Sequence, residues 1–202
     1  MANYEYIIAS LPALAPDWKP GDPGFFGNCI SWIKSQLSGS DIKTVDRLLG
    51  GYEEANLNRE YYEGSLGHGN RFIREFAAFD LNLRNAKARF LNKAFGLPEK
   101  NDTIDIGTGE FKEKAKAEEV LARQDLLSRE HGLDSLTWDK INELTLFDYF
   151  DLDAVLGYIA KLKIIDRWAS LDPETGRDMF HDLVEEVRGN YKGVNENTRY
   201  ED

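Results

Sequence analysis

Apolar residues return every three or four positions along most of this chain, the period of a helix with one face turned inward. Phe26, Ile30, Ile33 and Leu37 recur at spacings of four, three and four, and the pair Asp22-Pro23 ahead of them supplies an N-cap and a proline for the first turn. Ser40 is placed to cap a second helix with Ile42, Val45 and Leu49 inward, stopped at Gly50-Gly51. The stretch YEEANLNREYYEG reads as a further helix of ambiguous phase. The clearest pattern covers residues 70–95, where Phe72, Phe76, Phe79, Leu83, Ala86 and Phe90 follow a heptad-like spacing before Gly96 and Pro98 end it.

The segment GLPEKNDTIDIGTGE, residues 96–110, is rich in turn formers and reads as a linker loop. It separates an N-terminal helical half, 1–95, from a C-terminal half, 111–188, unless 1–188 is one continuous domain. Residues 110–130 read as one charged helix in which Glu110 and Glu119 precede Lys114 and Arg123 by four, with His131-Gly132 as its C-cap. A last helical pair is predicted over residues 137–171 and 173–187, the second opened by Asp172-Pro173. Residues 189–202 carry almost nothing to bury and read as a disordered tail. Near the N-terminus YEYIIAS is aromatic and β-branched, which predicts an extended segment or lone strand packed on something helical. The predicted fold is thus mainly α, a multi-helix bundle with a short N-terminal extended segment or strand.

One helix has more apolar circumference than a single neighbour requires. Within FDLDAVLGYIAKLKIIDRW, residues 150–168, the residues Leu152, Ala154, Val155, Tyr158, Ile159, Leu162 and Ile165 share one arc, and Leu156, Ala160, Ile164 and Trp168 form a second stripe. Such a helix is either central in a bundle, covered on both sides by its own chain, or offers one face to another protein. The second stripe is therefore a candidate interface. Asp151 lies on the major arc but at the helix start, where orphan N–H groups need acceptors. Phe150-Asp151-Leu152-Asp153 also repeats the type of Phe79-Asp80-Leu81-Asn82, and Asp80 stands four residues before Arg84, within pairing reach.

Charge and chemistry narrow the function classes. With 25 Lys and Arg against 36 Asp and Glu, the formal charge of −11 disfavours nucleic acid or an anionic membrane surface as the main partner. The single cysteine, Cys29, has no internal disulfide partner and lies beside a buried stripe, so a core role is expected. No stretch approaches a membrane span, and the N-terminus lacks the basic region of a signal peptide, so a cytoplasmic, soluble protein is expected. His68, His131 and His181 are scattered without ligand spacing, so neither a metal nor another cofactor is expected. IGTGE lacks the spacing of a phosphate loop. His68 within LGHGN could serve a small helical enzyme together with a carboxylate as acid and base, the alternative to a non-catalytic role.

Three ordered stretches carry a resemblance: NYEYIIASLP, FAAFDLNLRNAKARF and YFDLDAVLGYIAKLKIIDRWASLDPETGRDMF. Together they resemble a small bacterial family of uncharacterised proteins associated with V-type ATPase genes. That family is itself similar to a shortened form of the C-type subunit (d-type in eukaryotes) of V/A-type ATPases, the socket of the central stalk. In the larger family, helical repeats carry an acid followed by an Asn-rich or Leu-rich helix, and the positions that resemble it here are Asp80, Asn82, Arg84, Asn85, Asp151 and Asp153. A full-length C-type socket has three such repeats, and this chain has room for about two. The resemblance implies a non-enzymatic protein that couples the central stalk to the membrane ring of proton- or sodium-carrying subunits, held at the inner face of the cell membrane only through those partners. A transient assembly or regulatory factor for the same ATPase is the other role it implies.

Overall fold

The computed structural model describes residues 3–16 and 24–171. Within them the helical period prevails throughout, in eight α-helices and one short 3-10 turn, with no strand among the described residues. The helices are α1 (Tyr4–Ser10), α2 (Phe25–Gln36), α3 (Gly39–Gly50), α4 (Arg59–Leu66), α5 (Arg71–Phe95), α6 (Lys114–Leu121), α7 (Leu126–Leu144) and α8 (Leu152–Ala169). The chain packs as one compact unit through Ile165, with the 96–110 loop inside it rather than at a boundary; Asp166 begins a second unit, of which residues 166–171 are described.

The N-terminal segment is a helix, not a strand. Asn3 caps α1 by accepting from Tyr6 N at 3.0 Å, Tyr4 donates to Asp41 of α3 at 2.9 Å, and Ile7 is fully buried. β-Branched and aromatic residues favour strands only where a partner strand can take their backbone groups, so the side-chain cap and the packing against helices prevail. Residues 52–66 hold a 3-10 turn and then α4, shorter than one continuous helix.

Side-chain caps mark where α3, α4, α5, α7 and α8 begin. Ser38, rather than Ser40, caps α3 by accepting from Asp41 N. The helix predicted over 110–130 instead stops at Leu121; Asp125 then caps α7, accepting from Ser128 N at 2.6 Å. His131-Gly132 therefore lies inside α7 instead of ending a helix. A Cβ on Gly132 would stand 2.6 Å from Val120 Cγ1, so this glycine permits α6 and α7 to approach closely. Neither predicted pair is among the ion pairs of the described residues: Lys114 lies 3.9 Å from Glu118 instead of pairing with Glu110, and Arg123 turns to the Ser128 carbonyl instead of Glu119. The predicted helix over 137–171 is broken between Leu144 and Leu152. Asp22-Pro23, the helix 173–187 and the tail 189–202 lie outside the described residues.

α5 follows its sequence pattern closely. Asn70 caps it by accepting from Ile73 N at 2.9 Å, and Gly96 closes it in the left-handed conformation at φ 67°. One side packs Leu83, Ala86 and Phe90 against Val120, Leu121 and Leu133 of α6 and α7. The other packs Ala77 and Leu81 against Tyr62 of α4, with Ile104 and Ile106 of the long loop over them. α8 is the central helix. Tyr158 donates to the Pro12 carbonyl at 3.1 Å and sits beside the buried Cys29 thiol of α2. Gly157 lets the helix press on α7, since a Cβ there would meet Thr145 Cγ2 at 2.6 Å and Ile141 Cγ2 at 3.3 Å, with Phe72 of α5 just beyond.

Candidate protein-binding surface

The acids and amides singled out in the sequence are engaged in holding the fold. Asp80 accepts from Tyr62 Oη at 2.6 Å and from Arg84 Nε at 2.8 Å. Burial, then the charge of Asp80, push the Tyr62 hydroxyl far above its ordinary pKa, so it stays a donor. Asn85, buried, donates to the Ile104 carbonyl at 2.9 Å and accepts from Ile104 N at 3.0 Å, completing one residue of the loop as a neighbouring strand would. Asn82 accepts from Thr108 Oγ1 at 2.8 Å. Asn92, about two turns beyond Asn85, donates to the carbonyls of Glu99 and Asn101 at 3.2 and 2.7 Å. The Asn-rich stretch of α5 is therefore a row of clasps for the 96–110 loop.

Asp151 caps α8 by accepting from Ala154 N at 2.9 Å, the role expected of an acid at a helix start. Asp153 accepts from Asn70 Nδ2 and lies 3.5 Å from Arg71 Nη2, tying the starts of α5 and α8 together.

Three of the four residues of the second stripe of α8 are core, as in the first of the two alternatives, a central helix covered by its own chain. Leu156 and Ala160 are 0% exposed and Ile164 7%, because α8 is surrounded by its own chain. Trp168 lies in the second unit, where Arg167 sits 5.3 Å from its ring centroid.

His68 is not paired with a carboxylate among the contacts of the described residues. Its Nδ1 accepts from Asn70 N at 3.0 Å, which requires the neutral ring. Burial and the nearby Arg47 and Arg74 hold its pKa below the ordinary histidine value. The unfolded chain therefore takes up a proton first as pH falls; the contribution of His68 to stability is held above about pH 6.5 and lost as pH drops toward the folded pKa. An NMR titration should place His68 below a free histidine, and His68→Gln should remove part of the acid-side loss of melting temperature. A normal or raised His68 pKa would overturn this account.

The surface that sequence reasoning misses is the connection between α7 and α8. Leu146, Phe147, Tyr149 and Phe150 are exposed there, Phe147 by 82%. Four large apolar side chains within five residues are exposed, more than the scattered single hydrophobics ordinary on a surface. The loop is anchored from beneath: Arg71 Nη2 donates to the Leu144 carbonyl at 2.8 Å and to Asp148 Oδ2 at 2.6 Å. Asp148, Asp151 and Asp153 stand together at its base. Burial and the neighbouring Asp151 charge raise the Asp148 pKa, against the opposing pull of Arg71. The arrangement is an aromatic surface with an acidic footing. In sequence this region, TLFDYFD, differs from a helix only in crowding apolar residues onto every phase.

Residues 105–190, fewer than half of the 202, match a family described as protein of unknown function (DUF2764). The match takes in the end of the clasped loop, all of α6 to α8 and the aromatic connection. No curated protein and no solved structure matches the chain.

Proposed function

We propose that this protein is a non-catalytic helical subunit or accessory protein of a V-type ATPase, similar to the C-type socket of the central stalk, and that it binds a rotor component through the surface of residues 145–150. The observation that carries the binding role is the anchored, exposed set Leu146, Phe147, Tyr149 and Phe150. Aromatic side chains on a fixed backbone are the residues that dominate protein–protein affinity. The partner's identity rests on the resemblance of the three stretches, one of which begins at Tyr149 within this surface. The acidic footing favours a partner with a basic rim around an apolar centre. No helix among the described residues is long and apolar enough to cross a membrane, so on this reading the protein reaches the membrane only through the ATPase.

The test is purification of the protein at its native level from its own cells, followed by identification of what accompanies it. Central-stalk or membrane-ring subunits should co-purify with the natural chain. Phe147→Asp should abolish that association while leaving the melting temperature within about 2 °C, because an exposed substitution changes stability little. Association that survives Phe147→Asp would remove the surface from the proposal, and absence of ATPase subunits would remove the partner.

A further inference from the structure

A cavity of about 670 Å3 opens between α3 and α4. Lys43, Asp46 and Arg47 line it from α3, and Glu60 and Gly64 from α4. Its walls are tied together: Tyr61 Oη of α4 donates to the Arg47 carbonyl at 2.9 Å, and Asn56 Nδ2, from the turn between the helices, donates to the Gly50 carbonyl at 3.2 Å. The volume falls within the range of small-molecule sites.

Arg47 is seated in one wall. Its guanidinium carbon lies 5.1 Å from the Tyr61 ring centroid, the stacking of a cation on an aromatic face. A Cβ on Gly64 would overlap Arg47 Nη2, so the glycine keeps open the place that the guanidinium takes against α4. Among the described residues the guanidinium donates no hydrogen bond and forms no ion pair. Its planar fork of N–H donors is therefore held in position without an acceptor. The charge is felt nearby, where it helps to hold the His68 pKa down.

The other charges on the cavity divide by whether they already have a partner. Asp46 is paired with Lys34 at 2.6 Å. Lys43 and Glu60 have no ion partner among the described residues. Lys43 precedes Arg47 by four residues on α3, which puts both cations on one face of that helix. Glu60 precedes Gly64 by four on α4, so its side chain leaves the helix roughly 6 Å from the point where the guanidinium touches it. Two cations and one carboxylate thus line a single space without closing on one another.

We propose that this cavity binds a small zwitterion of the amino acid class, its carboxylate in the Arg47 fork with Lys43 beside it and its ammonium on Glu60. A guanidinium offers a carboxylate two parallel donors, a match of shape as well as of charge. A simple anion would be opposed by Glu60 and a simple cation by Arg47 and Lys43, whereas a zwitterion meets a complementary charge at each end. The volume exceeds what the two charged groups need and leaves room for a side chain. The proposal is independent of the ATPase reading, which uses another surface.

The experiment titrates the full chain, followed by NMR, with a panel of free amino acids and with the N-acetyl and carboxamide derivative of each, which lack the ammonium and the carboxylate respectively. At least one free amino acid should shift the signals of Arg47, Glu60 and Gly64 in a saturable way, and both of its derivatives should bind roughly tenfold more weakly or worse. Occupancy should also raise the His68 pKa toward the ordinary histidine value, because the ligand carboxylate offsets the Arg47 charge. Arg47→Gln and Glu60→Gln should each abolish binding. Gly64→Ala should weaken it without lowering the melting temperature, since the added methyl pushes aside only the movable end of Arg47 and alanine favours the helix. Phe147→Asp should leave it unchanged. An N-acetyl derivative that binds as well as its parent, or tighter binding by Glu60→Gln, would make this a site for simple anions and overturn the proposal. So would a panel in which no amino acid shifts these signals, or binding indifferent to Arg47→Gln.

Discussion

Replacing Ala160 with glutamate is expected to unfold this protein or to lower its melting temperature by about 6–12 °C, corresponding to at least roughly 3 kcal/mol for an unpaired buried carboxylate. Ala160 is 0% exposed on the stripe between Leu156 and Ile164, in a helix covered on several sides by α2, α5 and α7. The added side chain must displace packed neighbours as well as bury its charge. Thermal denaturation of the purified variant is the measurement, and Ala160→Gln, nearly the same size as glutamate but uncharged, separates the effect of the added bulk from that of the charge. A variant that melts like the natural chain would mean that this face of α8 is open, restoring it as an interface.

The second large effect concerns the row of amides on α5. Asn85→Ala should cost about 2–4 kcal/mol, because it removes two hydrogen bonds and leaves the amide and carbonyl of Ile104 without partners in a half-buried position. The loss should be local in its signature. Hydrogen exchange at Ile104 and limited proteolysis within residues 96–110 should both accelerate before the helices melt, since Ile104 and Ile106 cover the apolar cluster of Tyr62, Ala77 and Leu81. Equal destabilisation with an unchanged loop would show that Asn85 acts on α5 itself and not as a clasp.

Both effects lie where the sequence is least explicit. α5 is readable from end to end because Phe72, Phe76 and Phe79 keep one phase and both termini carry caps, Asn70 and Gly96. The breaks at 122–125 and 145–151 are not, since neither contains glycine or proline and apolar residues continue through the second without interruption. Only the capping carboxylates Asp125 and Asp151 mark them, and an isolated aspartate is a weak signal against a sustained period. YEYIIAS misleads for a related reason, its residue types favouring a strand while its surroundings offer only helices. Asp80, Asn82 and Asn85 stand out as a group, but what the amides hold lies up to 26 residues further along the chain and is set by the return of the loop, which spacing does not encode. For α8 the two apolar faces are legible; that its own chain covers both is not, because the covering helices come from distant parts of the sequence.

That last arrangement has a consequence for how the protein is made. Tyr158 of α8 holds the Pro12 carbonyl across a separation of 146 residues, and the same side chain lies against Cys29 of α2. On a ribosome adding about 5–20 residues per second, the N-terminal helices wait about 7–30 s for the helix that completes their core. During that interval the faces of α1 and α2 that carry Ile7 and Ile33, both fully buried at the end, have only α3 to α7 to cover them. A chain truncated before residue 152 should therefore expose this surface and aggregate or be held by chaperones, and nascent-chain lengths at which protection first appears around Cys29 should coincide with the emergence of Tyr158.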